Sequence, residues 1–190
     1  MKIFLVIFLF IFIFQPFSKA NDIREIEIEG ITIGDSLLDY MSKKKIDNAE
    51  PFFYPMSKKY KEVSIELNLE IYDQISASID VEDNKYIIYS MMADISFQNN
   101  FEECTSKKKL IVNDISSILG TDVKIQDNQY KRSVDKSGKS YDISTTFFFK
   151  NGDNVRVICT NWSEVMKLGD RLTVALNSNE FYEWLLNDAY

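Results

Sequence analysis

The chain has 190 residues, with 22 Lys and Arg against 29 Asp and Glu, a net charge of −7, 45% hydrophobic residues and no histidine. That balance excludes a phosphate-tracking nucleic-acid binder and a protein adsorbed to anionic lipid, since both need a basic surface. Without histidine the commonest acid–base group and metal ligand is missing, so no metal site and no cofactor is expected.

The first element is an export signal. Lys2 supplies a positive charge, Ile3 to Phe14 form twelve unbroken apolar residues, and Gln15-Pro16 ends any helix. Ser18-Lys19-Ala20 then sets small residues at −3 and −1 of a cleavage site, which predicts a signal peptide over 1–20, cleaved after Ala20. A membrane span needs about 20 apolar residues, so the run is too short for an anchor, and no membrane span is expected in the mature chain 21–190. Its removal takes away Lys2 and Lys19 and no acid, which leaves 20 basic against 29 acidic residues, a charge of −9. The expected address is periplasmic or secreted. In an oxidising compartment the two cysteines, Cys104 and Cys159, are expected to form a disulfide, closing a loop that stabilises the fold by roughly 4 kcal/mol on the chain-entropy model.

The mature N-terminus alternates Ile26, Ile28, Ile31 and Ile33 with Glu25, Glu27 and Glu29, which predicts an edge strand. Gly34-Asp35 is expected to start a helix with Leu37, Tyr40 and Met41 on one side and Lys43, Lys44 and Lys45 near its end, where they suit the helix dipole. Two prolines flank the loop Phe52-Phe53-Tyr54. Three alternating runs predict antiparallel strands over 63–71, 75–81 and 87–97. A second helix is expected from about Asn100 to Leu119, stopped by Gly120 at C′. A hairpin with its tip at Asp135-Lys136-Ser137-Gly138 returns through 141–149, and Asn151-Gly152 turns the chain into a strand carrying Val155, Val157 and Cys159. A last strand holds Leu172, Val174 and Leu176, and Asn177-x-x-Glu180 reads as the capping box of a terminal helix.

These elements make an α+β fold, helices packed on a mostly antiparallel sheet in a single domain. The halves 21–97 and 98–190 share features at an offset of 64: Ile31-Thr32-Ile33 matches Ile95-Ser96-Phe97, and Ser42 to Ile46 matches Ser106 to Leu110. The offset predicts a tandem repeat of a helix-plus-three-or-four-strand unit.

Gly34-Asp35-Ser36-Leu37 spells the nucleophile block of the G-D-S-L esterases and lipases. Those enzymes need a histidine base for the serine, and this chain has none, so Ser36 reads as a helix-start residue. A carboxylate pair could run glycoside chemistry, so a hydrolase using such a pair, or Ser36, stands as the alternative function. No catalytic residue is assigned. The candidate recognition surface is Phe52, Phe53 and Tyr54, whose aromatics are stiffened by proline, together with the basic Lys131 and Arg132. Asp80 to Asn84 is acidic but lacks the pattern of a calcium loop.

The stretches Glu29 to Tyr40, Asp135 to Ser140, Cys159 to Ser163 and Asn179 to Tyr190 resemble a family of uncharacterised small exported proteins of AT-rich marine alphaproteobacteria. The resemblance implies a periplasmic address and brings no activity, ligand or catalytic residue with it. In architecture, tandem helix-plus-sheet units resemble the β-lactamase-inhibitor-like fold, which implies binding of proteins. The function expected is therefore non-catalytic binding, of an envelope protein or a small ligand.

Overall fold

A computed structural model of the chain describes residues 19–190; of the expected signal peptide, 1–18 lie outside the described residues. One eight-stranded sheet organises the fold. In chain order its parts are α1 (Lys43–Asn48), β1 (Phe52–Phe53), β2 (Tyr60–Ser64), β3 (Gln74–Asp80), β4 (Ile88–Ser96), α2 (Phe101–Ile118), β5 (Lys124–Lys131), β6 (Tyr141–Phe148), β7 (Asn154–Asn161), β8 (Arg171–Asn177) and α3 (Asn179–Asn187). The sheet order is β1-β2-β3-β4-β8-β7-β6-β5, and every neighbouring pair is antiparallel. Two four-strand meanders therefore join at β4 and β8. This is the mostly antiparallel α+β class expected from the alternating runs.

Strand alternation sends successive side chains to opposite faces. Val63, Ile75, Ala77, Ile79, Met91, Ala93, Leu172, Val174, Leu176, Val155, Val157, Cys159 and Phe147 share one face, the core face, and are buried in one cluster. α2 covers it. Asn100 starts that helix by accepting from the Glu103 amide at 3.2 Å while donating to the Glu103 carboxylate at 2.8 Å, and Glu102 and Glu103 suit the positive end of the dipole. Buried Cys104 near its start bonds to Cys159 of β7 with 6.0 Å between the Cα atoms, so the expected disulfide pins α2 to the sheet.

Several local expectations are corrected. Residues 26–33 do not form a strand. Glu29 (φ 52°) and Gly30 (φ 76°) make a tight turn bridging Ile28 to Ile31, and five isoleucines from Ile23 to Ile33 bury against the core face from this folded segment. The run 63–71 stops at Ser64; further on, the Glu29 carboxylate takes the Glu70 and Ile71 amides at 3.2 and 2.9 Å, and Leu67 and Ile71 are exposed. The helix expected after Gly34 splits into a 3-10 turn, Leu37–Asp39, and α1, capped separately by Ser36 and Ser42. Leu119, extended, ends α2 without a left-handed glycine; Gly120 instead lets Ala20 and Asn21 approach, its amide donating to Ala20 O at 3.0 Å. Ser178, not Asn177, caps α3. At the 64-residue offset α1 falls within α2, and β2, β3 and β4 overlap β5, β6 and β7, whereas Ile31, outside the strands, falls on Ile95 of β4.

Candidate functional site

On the other face of the sheet the helix among the described residues is α3, at one end. There Tyr54, Tyr60, Phe181, Trp184 and Ala189 form a second apolar cluster, with Tyr89 and Leu185 packed on it. Ser57 accepts from Trp184 Nε1 at 3.1 Å, Glu180 accepts from Tyr60 OH at 3.0 Å, and the Ala189 carbonyl accepts from the Met56 amide at 3.1 Å. Burial, and the nearby Glu180 charge, push the Tyr60 hydroxyl pKa well above its ordinary value.

Register lays the rest of this face out in rows. One row runs Ser96, Arg171, Thr160, Asp142, Tyr130; the next runs Asp94, Thr173, Ile158, Ser144, Asn128. A third carries Met92, Ala175, Arg156 and Thr146, and Ser90, Asn177 and Asn154 lie beyond it. Most of these side chains are small and polar around two arginines, and several are linked to each other. Ser90 donates to Asn177 at 2.8 Å, Asn177 to Asn154 at 3.0 Å, and Arg156 to Tyr130 OH at 3.0 Å with its guanidinium 5.8 Å from the Tyr182 ring. Glu62 also points to this face and accepts from Ser76 at 2.6 Å. Burial raises its carboxyl pKa despite that hydrogen bond, the Asp94 charge raises it further, and the Arg171 charge opposes both.

Buried side-chain polar atoms without a hydrogen-bond partner, among the described residues, are Ser78 Oγ, Asp142 Oδ1, Asn154 Nδ2, Arg156 Nε and Arg171 Nε. By the strand alternation all five sit on this polar face. Buried polar groups are ordinarily satisfied, because each unmet one costs about 1–3 kcal/mol. Their confinement to one face marks it as chemically different from the rest.

The sequence-predicted aromatics divide. Phe52 is 55% and Phe53 36% exposed on the edge strand β1, while Tyr54 is buried against Trp184 with ring centroids 5.0 Å apart. Exposed Phe52 and Tyr190 both pack on Tyr54, with ring centroids 5.5 and 5.7 Å away. Lys131 and Arg132 lie at the opposite edge of the sheet and part company. Lys131 lines an open cleft of about 370 Å³ with Gln129, Tyr130, Gly138, Lys139 and Tyr141, whereas Arg132 binds Asp142 at 3.0 Å and stacks 4.9 Å from the Trp162 ring. Tyr190, packed on Tyr54, has its hydroxyl in the field of both Arg132 and Glu62. The hairpin tip beside Arg132 is tied down: Asp135 accepts from Ser137 and Ser140 and from the Ser163 hydroxyl at 2.8 Å, and these bonds hold its pKa far below the usual carboxylate range.

Ser36 caps a 3-10 turn. Its hydroxyl donates to Lys85 O at 2.7 Å, and the Asp35 carboxylate is taken by Tyr40 OH at 2.6 Å and the Thr32 amide. Nothing there takes a proton from the serine. The Asp80 to Asn84 turn uses its carboxylates on its own amides, Asp80 for Glu82 and Asp83 for Lys85; among the described residues no group of three or more His, Cys, Asp or Glu could hold a metal.

Sequence reasoning missed Arg156, Arg171, Asp94, Asp142 and Glu62. A signal was present: each is the polar partner in an alternating strand whose other residues are buried. Only the sheet order, which puts β8 between β4 and β7, brings them together. Fold and face define an α+β protein with one apolar, helix-covered sheet face and one polar sheet face, on which Ser78, Ser90, Asp142, Asn154, Thr160 and Asn177 are buried. Comparison with family models, with curated proteins and with solved structures returned no match.

Proposed function

We propose that the chain is an exported, non-catalytic binding module whose polar sheet face is the recognition surface. The observation that carries this reading is the gathering of all five unpartnered buried polar atoms on that face. Tyr, Trp and exposed Phe together with half-buried arginines are also the composition of binding hot spots. Export is supported by the disulfide and agrees with the twelve-residue apolar run of the leader; no helix among the described residues is long and apolar enough to cross a membrane. An envelope partner and a periplasmic address accord with the resemblance to the small exported proteins of alphaproteobacteria.

A photo-crosslinking amino acid placed at Met92 or Ile158 on the polar face, and at exposed Leu110 on α2 as control, tests the reading in cells. Crosslinked species are expected from the first two positions and not from Leu110; equal yields from all three would refute it. Intact mass of the exported protein is expected to show loss of residues 1–20.

The hydrolase reading has one observation in its favour: Glu62, its carboxyl pKa raised, stands in the field of Asp94 on the same face, and a carboxylate pair with divergent environments is what glycoside cleavage uses. Turnover of glycoside substrates that disappears in Glu62→Gln would replace the binding module by an enzyme.

A further inference from the structure

The sheet ends on β1 at one edge and on β5 at the other, and the two edges differ. β1 is two residues long, whereas β5 has eight, all exposed, and pairs with β6 without a break from Lys124 opposite Phe148 to Lys131 opposite Tyr141. Continuing that register, the Arg132 amide donates to Ser140 O at 3.0 Å. Main-chain groups of successive residues alternate between the two sides of a strand, so Lys124, Gln126, Asn128 and Tyr130 turn theirs to β6. Ile125, Asp127, Gln129 and Lys131 turn theirs outward, where no strand among the described residues takes them. Proteins ordinarily shorten, bulge or cover such an edge, since it is a template for another strand.

The charges on this edge select the occupant. Lys124 and Lys131 stand at the two ends of β5, and Lys136 and Lys139 follow on the hairpin tip; none of the four is in an ion pair among the described residues. The acid of β5, Asp127, is engaged: it accepts from Thr145 Oγ1 at 2.5 Å, and Lys108 donates to the same hydroxyl oxygen at 2.6 Å. A basic edge on a chain of net charge −7 favours an acidic segment. A second copy fits less well. Two-fold antiparallel pairing through the outward groups, centred on Asn128, sets Lys124 against Arg132 at both ends. Centred on Asp127 it opposes that carboxylate to its own copy, and centred on Gln129 it keeps only 127–131 of β5 paired.

At its C-terminal end β5 borders the cleft of about 370 Å³ that Lys131 and Lys139 line together with Tyr130 and Tyr141. The hairpin on the far side is held in place by the bonds of Asp135 to Ser137, Ser140 and Ser163. Strand addition draws affinity from main-chain hydrogen bonds and specificity from side-chain pockets. We propose that β5 takes up an extended acidic segment of another protein as a further strand of the sheet, with one carboxylate of that segment in the cleft between Lys131 and Lys139. This edge is separate from the polar face and does not depend on that face being the recognition surface.

The full mature chain is titrated into a fluorescein-labelled peptide of alternating Thr and Val with two Glu at each end, following anisotropy. Saturable binding is expected. Affinity should fall at least tenfold, the scale of a lost charge-assisted hydrogen bond, when Lys replaces Glu in the peptide, when its three central amides are N-methylated, and in Lys131→Glu with Lys139→Glu. Gln129→Pro removes an outward N–H and no bond to β6, so it should weaken binding as much while leaving the circular dichroism spectrum unchanged. Absence of saturable binding, equal binding of the N-methylated peptide, or affinity unchanged in either variant overturns the proposal. Sedimentation of the chain alone as a dimer that Gln129→Pro dissociates would overturn it too, in favour of a second copy as the occupant.

Discussion

Breaking the Cys104–Cys159 bond frees the start of α2 from β7 while leaving both elements intact, so its effect is a direct reading of what the cross-link contributes. The bond closes a loop with a sequence separation of 55, and the chain-entropy relation gives about 4 kcal/mol for a loop of that length. For a domain of this size each kcal/mol corresponds to about 2–4 °C in Tm, so the reduced protein is expected to melt about 8–16 °C lower. Both cysteines are fully buried, and Cys104→Ala with Cys159→Ala removes the volume of two packed sulfurs as well, adding about 1–2 kcal/mol. The assay is thermal melting by circular dichroism of the oxidised protein, of the protein held in reductant, and of the double variant with and without reductant. Reductant should lower the Tm of the first and leave the double variant unchanged. Oxidised and reduced wild type melting together, or two alkylatable thiols in the unfolded oxidised protein, would refute the reasoning.

Glu62 and Asp135 predict opposite pH behaviour. Burial holds the folded Glu62 carboxyl above its ordinary pKa, so its effect on stability is most favourable below the unfolded value and is lost as pH rises through the folded one; Glu62→Gln, whose amide oxygen still accepts from Ser76, should raise Tm at neutral pH and lose that advantage below about pH 4. Asp135 is held low by hydrogen bonds from Ser140, Ser137 and Ser163, so its contribution is present above the ordinary carboxyl pKa and fades as pH falls below it; Asp135→Asn should lower Tm at pH 7, with a difference that shrinks in urea melts at about pH 3. Trp184→Ala empties the cluster under α3 and should cost about 3–5 kcal/mol in urea unfolding, whereas Leu110→Ala, exposed on α2, should stay within about 0.5 kcal/mol.

The central strands were legible because their alternation is unambiguous. Ile75, Ala77 and Ile79 or Leu172, Val174 and Leu176 put an apolar residue on the core face at every second position, and α2 announces itself through Asn100, its acidic first turn and an apolar stripe. The misread segments share a cause. Ile26 to Ile33 and Val63 to Ile71 alternate equally well, but a strand also needs a neighbour to take its amides. The Glu29 carboxylate takes two of those amides at Glu70 and Ile71, and the tight turn at Glu29-Gly30 folds the first segment onto the core. The recognition residues chosen from sequence were conspicuous locally, an aromatic loop and a basic pair. Those on the polar face, single polar residues on separate strands, had no local mark.

The sequence by itself determined the class of the fold and the pairing of Cys104 with Cys159, because each follows from composition or short-range periodicity. The tertiary structure decided which strands are neighbours. With β8 inserted between β4 and β7, Asp94 meets Arg171, Thr160 comes to lie between Arg171 and Asp142, and five polar atoms are left without partners on one face. Register across a sheet is set by pairing between distant segments, and no property of any one segment contains it.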